Sequence, residues 1–364
     1  MLWRAVRVVA GAGGSQRVDG LEVSLVGRAR ELALVKELFH ASAEGGRARL
    51  VMVSGAAGVG KSRLGWEFEK YVDGLVSTVW WHRGRCLSYG DGVAFWALAQ
   101  MVRQRFDIAE ETPSEEAAAR LAQRLPTWVS DEAERAFITA RLGVLVGADA
   151  AELAREELFA GWRLFIERLA GTGPVVMVVE DLQWADAGLL DFLEYLLDWS
   201  GDLPIFILTF ARPELAERRP GWLVDRRNAT TMHLDPLPPG VLDDLLDDLV
   251  PGMPETAKAQ IAERAQGIPL YAVETVRALV DRDVVIPQDG VYRLVGDIGD
   301  FEVPATLTSL LASRLDALVP AERELVKGLA VLGATFPRSA VEVVTEAPTE
   351  QVDGWLQALV ACHG

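Results

Sequence analysis

The apolar residues of the chain fall into short continuous runs separated by longer segments with helical spacing. The strand-like runs lie at residues 49–54, 78–81, 175–179 and 205–210. A run that is apolar throughout is typical of a strand buried on both faces, as in a parallel sheet covered by helices. Because helical segments separate the runs, we expect right-handed crossovers. The pattern predicts an α/β fold in which a parallel sheet is flanked by helices.

Helical spacing predicts the elements between these strands. In the first such segment the apolar positions include Leu32, Val35 and Phe39, which share one face of a helix. Helices are predicted, in chain order, at 28–43, 62–72, over most of 93–170 with breaks near 112–114 and 126, at 189–199 and over 240–282. Five tryptophans lie among apolar positions and are interpreted as core residues rather than base-stacking ones: Trp80, Trp81, Trp96, Trp162 and Trp184.

Changes in composition divide the chain. Residues 1–24 are glycine-rich and are predicted to be a linker with one short strand, Val6 to Val9. The proline-rich stretch 234–240 predicts a boundary that ends a first domain at 25–233. A helical domain at 234–303 follows, with a hairpin whose turn is Gln288-Asp289-Gly290. The last segment, 304–364, is again helical in pattern.

Composition and charge limit the classes of protein to consider. The chain has 364 residues, half of them hydrophobic, which favours two or three domains. No run approaches the roughly 18 apolar residues of a membrane helix, and the N-terminus does not have the form of a secretion signal. We therefore expect a cytoplasmic protein without a membrane partner. The net charge of −17 argues against a nucleic-acid partner, since such binding gains affinity from Lys and Arg.

One motif specifies phosphate chemistry. Residues 55–62 fit the pattern G-x-x-x-x-G-K-[ST], directly after a predicted strand and at the start of a predicted helix. Glycines let the backbone wrap around phosphate oxygens, Lys61 reaches the β- and γ-phosphates, and the Ser62 hydroxyl can ligate magnesium. The flanking context disfavours the alternative, a glycine-rich turn with a chance Lys-Ser. The candidate nucleotide-binding residues here are Gly55, Ala56, Ala57, Gly58, Val59, Gly60, Lys61, Ser62 and Arg63.

Two further positions follow strands. Glu180 and Asp181 come directly after the apolar run 175–179, at the end of a strand where ligands bind in open α/β sheets. They could hold Mg²⁺ and polarise a water molecule, or they could simply begin a loop. Arg212 follows the run 205–210, where it could stabilise γ-phosphate charge. On spacing alone, an ordinary surface arginine is an equal interpretation.

Taken in order, several segments resemble the STAND ATPases, signalling P-loop ATPases of the AAA+ type. The segments are Val26-Gly27-Arg28 with Glu31-Leu32, the P-loop, 180–186, 211–214 and 267–270. The resemblance extends to the ATPase region of bacterial proteins that join a class III adenylate/guanylate cyclase domain to this module. Residues 84–90 and 3–9 are typical of that subgroup. The likeness covers residues 3 to 345.

The resemblance implies a role for each matching position. Val26, Gly27 and Arg28 would lie against the adenine and ribose of ATP or ADP. Glu180 would stand at the metal position for Mg²⁺, and Asp181 at the water-activating position.

The same resemblance implies how the other segments act. Arg212 would be the sensor arginine, and Pro269 would belong to a G-x-P turn that brings the helical lid, 234–303, onto the nucleotide. Residues 304–364 would form part of a winged-helix domain. Residues 1–24 would be the remnant of a linker after an absent cyclase domain, since so few residues cannot fold one.

The function implied is a signalling switch that hydrolyses ATP slowly to ADP and phosphate. Many relatives have Asp at the position of Glu180 and many ATPases have Glu at that of Asp181, so this pair would slow hydrolysis. The switch would belong to an adenylate cyclase-linked or transcriptional signalling protein. Its candidate partners are a cyclase domain, a helical-repeat region or a second copy. The alternatives are a non-catalytic scaffold that holds nucleotide and a DNA-binding AAA+ regulator.

Overall fold

The structure is a computed structural model that describes most of the chain from residue 25 to 296 and short parts beyond. The described residues are 17–18, 21–22, 25–87, 94–110, 112–148, 153–288, 291–296, 315, 320–330 and 338–345. The predicted strand Val6–Val9, the turn residues Asp289 and Gly290 and most of the predicted winged-helix segment lie outside them. None of the helices in the described part of the chain is long and apolar enough to cross a membrane.

The chain divides into two compact units. The first, called the sheet unit, comprises residues 30–56 and 68–234. The second, called the helical unit, comprises the described residues within 1–29, 57–67 and 235–364.

The elements are numbered in chain order. The strands are β1 Arg17–Val18, β2 Leu21–Glu22, β3 Arg49–Gly55, β4 Trp80–Arg85, β5 Val175–Glu180, β6 Ile205–Ala211, β7 Ala229–Leu234, β8 Val285–Gln288 and β9 Val291–Leu294. The α-helices are α1 Ala29–Gly45, α2 Lys61–Asp73, α3 Trp96–Phe106, α4 Ser114–Arg124, α5 Glu132–Val146, α6 Arg155–Ala170, α7 Ala187–Trp199, α8 Glu214–Arg218, α9 Pro239–Leu249, α10 Glu255–Ala265, α11 Pro269–Val280, α12 Pro320–Leu329 and α13 Arg338–Thr345.

The sheet unit is built on a five-stranded parallel sheet with the order β4-β5-β6-β3-β7. The predicted α/β fold with a parallel sheet and flanking helices is therefore confirmed. The apolar runs that predict β3, β5 and β6 lie in the three central strands, where burial on both faces requires apolar side chains at every position.

Two predicted features of the sheet need correction. Of the segment predicted as a strand at 78–81, only Trp80 and Trp81 belong to β4, which begins at Trp80 and continues through His82 to Arg85. The fifth strand, β7, was not predicted. It lies at the edge beside β3, and only Met232 and Leu234 of its six residues are buried. An edge strand needs fewer apolar residues than a central one, so its apolar signal is weak.

The side chains of β6 show how the sheet is covered on two faces. Phe206 packs edge-on against Phe39 of α1 and tilted against Phe68 of α2, at ring-centroid distances of 5.8 and 5.7 Å. Its neighbours Ile205 and Ile207 point the other way, into a larger apolar cluster shared with α3 to α7. Because successive side chains of a strand point to opposite faces, β6 contacts helices on both faces of the sheet.

The prediction that the five tryptophans are core residues holds for Trp162 but not for Trp184. Trp162 is 1% exposed and packs against Phe95, with ring centroids 4.8 Å apart. Trp184, in a short 3-10 helix after β5, is 45% exposed. Its assignment to the core was therefore wrong, because the loop that follows β5 carries this side chain out to solvent.

The helical unit has its own small core. Helices α9, α10 and α11 pack through apolar faces that include Leu245, Ile261 and Val276. Strands β8 and β9 pair antiparallel, with Gln288 opposite Val291, so the predicted hairpin is confirmed in its two strands.

Candidate functional site

The P-loop motif occupies the turn between a strand and a helix. Strand β3 ends at Gly55 and helix α2 begins at Lys61, so residues 56–60 form the loop and Ser62 is the second residue of the helix. Gly58 and Gly60 have φ values of +77° and +106°, which L-residues rarely adopt. A glycine loop that ends in a helix N-terminus presents N–H groups to anions. The geometry of this segment fits phosphate.

Two consecutive carbonyls of the loop are held by donors from distant segments. The Gly58 carbonyl accepts a hydrogen bond from the Leu270 N–H at 3.3 Å. The Val59 carbonyl accepts one from Nη2 of Arg28, also at 3.3 Å. In a trans peptide the N–H points opposite to the carbonyl. The N–H groups of Val59 and Gly60 are therefore fixed in the direction away from Leu270 and Arg28.

The segment Val26-Gly27-Arg28 packs within the helical unit. Arg28 is 5% exposed, and its guanidinium also donates to the Asp235 carbonyl. Gly27 has φ +65°, and a Cβ there would lie 2.5 Å from Cγ1 of Val241. Val26 packs at the edge of the apolar cluster of that unit. This environment gives Arg28 a support role at the loop, and the contact of the three residues with adenine and ribose stays a prediction.

Arg63 and Pro269 flank the loop in the same unit. Arg63 forms an ion pair with Glu67 at 2.5 Å and lies over the Trp66 ring. Pro269 is the first residue of α11, one position before the Leu270 N–H that binds the loop. Their contact with nucleotide stays a prediction, as do the roles of Lys61 and Ser62.

In the sheet unit, the acid pair lies at the carboxyl edge of the sheet. Glu180 is the last residue of β5, and Asp181 follows in the left-handed conformation with φ +55°. Strand β4 pairs with β5 so that Arg85 stands directly opposite Glu180. The same register places Arg83 two residues before the end of the strand, with its side chain on the same face as that of Arg85.

These residues form a continuous chain of ion pairs, called here the acid–arginine cluster: Glu69, Arg83, Glu180, Arg85 and Asp181. Arg83 contacts Glu69 at 2.8 Å and Glu180 at 3.4 Å. Arg85 contacts Glu180 at 2.9 Å and Asp181 at 3.4 Å. Burial raises the pKa of Glu69, although Arg83 acts to lower it. The ion pairs explain why β4 extends through two arginines that carry no apolar signal.

The acid pair in this arrangement does not fit a bound magnesium ion. Both carboxylates face the guanidinium of Arg85, which would occupy the space of a cation. Among the described residues, no group of three or more His, Cys, Asp or Glu side chains is arranged to hold a metal. The predicted roles of Glu180 as metal ligand and Asp181 as water-activating residue therefore stay predictions, and they require Arg85 to move.

Gln183 is a residue of this edge that the sequence reasoning did not single out. It is 2% exposed, donates to Oδ1 of Asp181 at 3.2 Å and accepts from the Arg212 N–H at 3.0 Å. It thus bridges the ends of β5 and β6. The signal in the sequence that could have identified Gln183 is its place two residues after Asp181, within the segment 180–186. The role of the Arg212 side chain as a sensor stays a prediction.

The parallel sheet brings the carboxyl ends of β3, β5 and β6 to one edge, which carries Gly55, Glu180 and Ala211. The P-loop sequence begins at the first of these ends. Lys61 belongs to the helical unit, whereas Glu180 and Asp181 belong to the sheet unit. The convergence of the three on one triphosphate stays a prediction.

Comparisons with known proteins give the following similarities. Residues 24–208 match the family described as AAA ATPase domain. A protein of Rhizobium meliloti (strain 1021), named Uncharacterized protein R02095, is 26% identical over 349 residues, a match that covers 91% of this chain and 32% of the relative. The chain therefore spans about a third of the length of the curated relative it matches.

The solved structures similar to this chain include PH0952 from Pyrococcus horikoshii, a Signal Transduction ATPase with Numerous Domains (STAND) protein with a tetratricopeptide repeat sensor. It is 16% identical, with a TM-score of 0.49, and the match covers 94% of this chain and 40% of that one. Cdc6p from Pyrobaculum aerophilum is 13% identical, with a TM-score of 0.45, covering 96% and 88%. The Aeropyrum pernix ORC1 protein, solved in complex with DNA, is 13% identical, with a TM-score of 0.42, covering 94% and 85%.

Proposed function

Because the chain belongs to the AAA ATPase domain family, we propose that it binds ATP through residues 55–62 and hydrolyses it slowly to ADP and phosphate, as a nucleotide-dependent switch. The observation that carries the proposal is the fixed P-loop: the carbonyls of Gly58 and Val59 are held by Leu270 and Arg28.

The residues of the loop would act on the phosphates as follows. The N–H groups of Val59 and Gly60, directed away from the carbonyl donors, would donate to phosphate oxygens without first having to reorient. The helix that begins at Lys61 adds its N-terminal dipole, and the Lys61 ammonium adds a full positive charge toward the β- and γ-phosphates. Ser62 would supply a hydroxyl at the same helix turn.

The switch would work through the contact between the loop and helix α11. The Leu270 N–H that binds the Gly58 carbonyl lies in the first turn of α11, directly after Pro269. A loop conformation preferred by bound phosphate would thus change the stability of this contact. A ligand shifts such an equilibrium by its difference in affinity for the two states. Release of the γ-phosphate would shift it back.

The test is to measure ATP binding by calorimetry and phosphate release by a coupled assay. Lys61→Ala should abolish both, because it removes the charge that faces the phosphates. Lys70→Ala, in the last turn of the same helix, is the matched control and should retain both. Equal binding by the parent chain and Lys61→Ala would refute the proposal.

A specific observation favours a second candidate, a scaffold that binds nucleotide without hydrolysing it. Arg85 contacts both carboxylates that hydrolysis would need. Asp181→Asn separates the two functions: a hydrolytic chain should lose phosphate release and keep ATP binding. If the parent already releases phosphate only at the background rate, the scaffold is the better assignment.

The proposed setting is a larger cytoplasmic signalling protein. The match covers only about a third of the length of the curated relative, so we propose partners from the resemblance alone. We expect them to be a cyclase domain, a helical-repeat region or a second copy of the chain, as the resemblance to STAND ATPases implies. Mg²⁺ is the expected companion of ATP.

A further inference from the structure

Arg85 connects the two carboxylates at the end of β5. Its Nη2 lies 2.9 Å from Oε2 of Glu180, and its Nε lies 3.4 Å from Oδ2 of Asp181. The backbone on which it stands is fixed, because the Arg85 N–H donates to Oε1 of Gln100 at 2.8 Å and β4 pairs in register with β5. The side chain itself is 37% exposed, so it has room to move.

The two acids differ in how firmly they are held. The Glu180 side chain is 5% exposed, and its Oε1 makes no hydrogen bond to any described residue, although Nη2 of Arg83 lies 3.4 Å away. The Asp181 side chain is 36% exposed. The pair therefore has one buried oxygen with unused acceptor capacity and one carboxylate that solvent can reach.

Charge makes the pairing persistent. A guanidinium carries a full positive charge, so Arg85 offsets one of the two negative charges of the acid pair. A dication approaching Glu180 and Asp181 meets the positive charge of Arg85 at the distance of an ion pair. Like charges repel, and at the same distance the repulsion is about twice as large for a dication as for a monovalent cation.

We propose that Arg85 is a positioning residue that holds Glu180 and Asp181 in an ion-paired, metal-excluding arrangement, and that a divalent cation binds the pair only when Arg85 has left it. Arg83 is the weaker candidate, since it contacts Glu69 and Glu180 but is buried further. The consequence for hydrolysis rests on the proposed function. The competition between Arg85 and a cation does not, since it can be measured without nucleotide.

The experiment titrates Mn²⁺ onto the nucleotide-free chain and follows free Mn²⁺ by electron paramagnetic resonance. Arg85→Gln should bind one Mn²⁺ at least about tenfold more tightly than the parent, because it removes the competing charge. The double variant Arg85→Gln with Glu180→Gln should lose that gain. Arg120→Gln, which removes an exposed arginine paired with Glu116 on α4, is the matched control and should behave as the parent does.

A purely structural role for Arg85 gives a different result. Arg85→Gln would then lower the melting temperature and leave Mn²⁺ affinity unchanged, which would overturn the proposal. If Arg85→Gln does not fold, Arg85→Lys is used, because one ammonium cannot bind both carboxylates as the guanidinium fork does. It should raise Mn²⁺ affinity severalfold, and an affinity equal to that of the parent would also overturn the proposal.

A second measurement links the result to hydrolysis. The Mg²⁺ concentration that gives half-maximal phosphate release should fall in Arg85→Gln, in parallel with its gain in Mn²⁺ affinity. If the chain fails to bind ATP, the proposed function fails, but the Mn²⁺ titration still decides on Arg85.

Discussion

The guanidinium of Arg28 donates a hydrogen bond to the backbone carbonyl of Val59, at 3.3 Å, across 31 positions of the chain. The same group donates to the carbonyl of Asp235, at the start of the segment that leads to α9. Arg28 therefore ties the phosphate-binding loop to the helical part of its own unit. A buried arginine that donates to a carbonyl of the loop acts on the ligand through the loop it orients.

Replacing Arg28 should weaken ATP binding without removing any group proposed to touch phosphate. In Arg28→Ala, the Val59 carbonyl loses its donor, at a cost of about 1–3 kcal/mol, and the Gly60 N–H loses its fixed direction. We expect ATP affinity to fall by about tenfold to a hundredfold, since 1.4 kcal/mol is a factor of ten. Calorimetric titration measures it.

The control for this variant is the neighbouring exposed arginine. Arg30→Ala should leave ATP affinity and stability unchanged, because the side chain is exposed on α1. Arg28→Lys should fall between the parent and Arg28→Ala, since an ammonium reaches one carbonyl more readily than two. Parent-like affinity in Arg28→Ala would contradict the positioning role.

Gly58 should tolerate no side chain. Its φ is +77°, and a Cβ would lie 2.9 Å from Cβ of Leu270 and 3.0 Å from Cγ2 of Ile268. Gly58→Ala should therefore lose about 1–3 kcal/mol of stability from overpacking in addition to the backbone strain. Urea unfolding at neutral pH gives the change in the free energy of unfolding.

A second glycine separates strain from crowding. Gly46 has φ +59°, and a Cβ there would meet no described atom within 4 Å. Gly46→Ala should therefore cost about 1 kcal/mol, from backbone strain alone. If the two variants lose equal stability, the close contact between Gly58 and helix α11 contributes nothing.

The sequence predicts those elements of the fold whose signal lies in their own residues. Strands β5 and β6 are buried at every residue, so their apolar runs identify them. Strand β4 is different, because its Arg83 and Arg85 are paired with carboxylates outside the strand, among them Glu180, which is 95 positions from Arg85. The same reason hides the contact of Arg28 with Val59. A motif identifies a phosphate loop, but its support comes from residues that only the tertiary structure brings together.

His82 should make the chain acid-sensitive. It is buried on β4, where its Nε2 accepts from Nε of Arg105 at 3.0 Å. Burial, with a smaller contribution from Arg105, lowers the pKa of His82 to about 3. In the unfolded chain the ordinary value is about 6.5. Between these values the unfolded state binds a proton that the folded state does not, so stability falls as pH falls from about 6.5 toward 3.

The measurement is the free energy of unfolding by urea between pH 4.5 and 7.5. His82 should contribute a slope of up to about 1.4 kcal/mol per pH unit below pH 6.5. His82→Gln keeps an acceptor for Arg105 and cannot titrate, so its free energy of unfolding should depend less steeply on pH by that slope. This holds even if the substitution changes the stability by a constant amount at every pH. An identical slope in the two proteins would show that His82 is not the group responsible.

Asp191 differs from His82 in that the folded protein stabilises its charged form, whereas it stabilises the neutral form of His82. It lies on α7 and forms ion pairs with Arg155 of α6 and with Arg219, which follows α8. Burial acts to raise its pKa, but the hydrogen bonds from Arg155 and Arg219 lower the pKa of Asp191 below its usual range. Its contribution to stability is therefore present at neutral pH and is lost as pH falls through the lowered value.

Partial exposure keeps this contribution small. Asp191→Asn should cost about 1 kcal/mol or less at pH 7 and low salt, because solvent and salt screen exposed pairs. The loss of stability in Asp191→Asn should be smaller at 0.5 M NaCl. It should also be smaller in strong acid, where the Asp191 carboxyl of the parent is protonated and therefore neutral like the amide of the variant. A double-mutant cycle with Arg219→Gln isolates the pair, and a coupling free energy that does not change with salt would contradict an electrostatic origin.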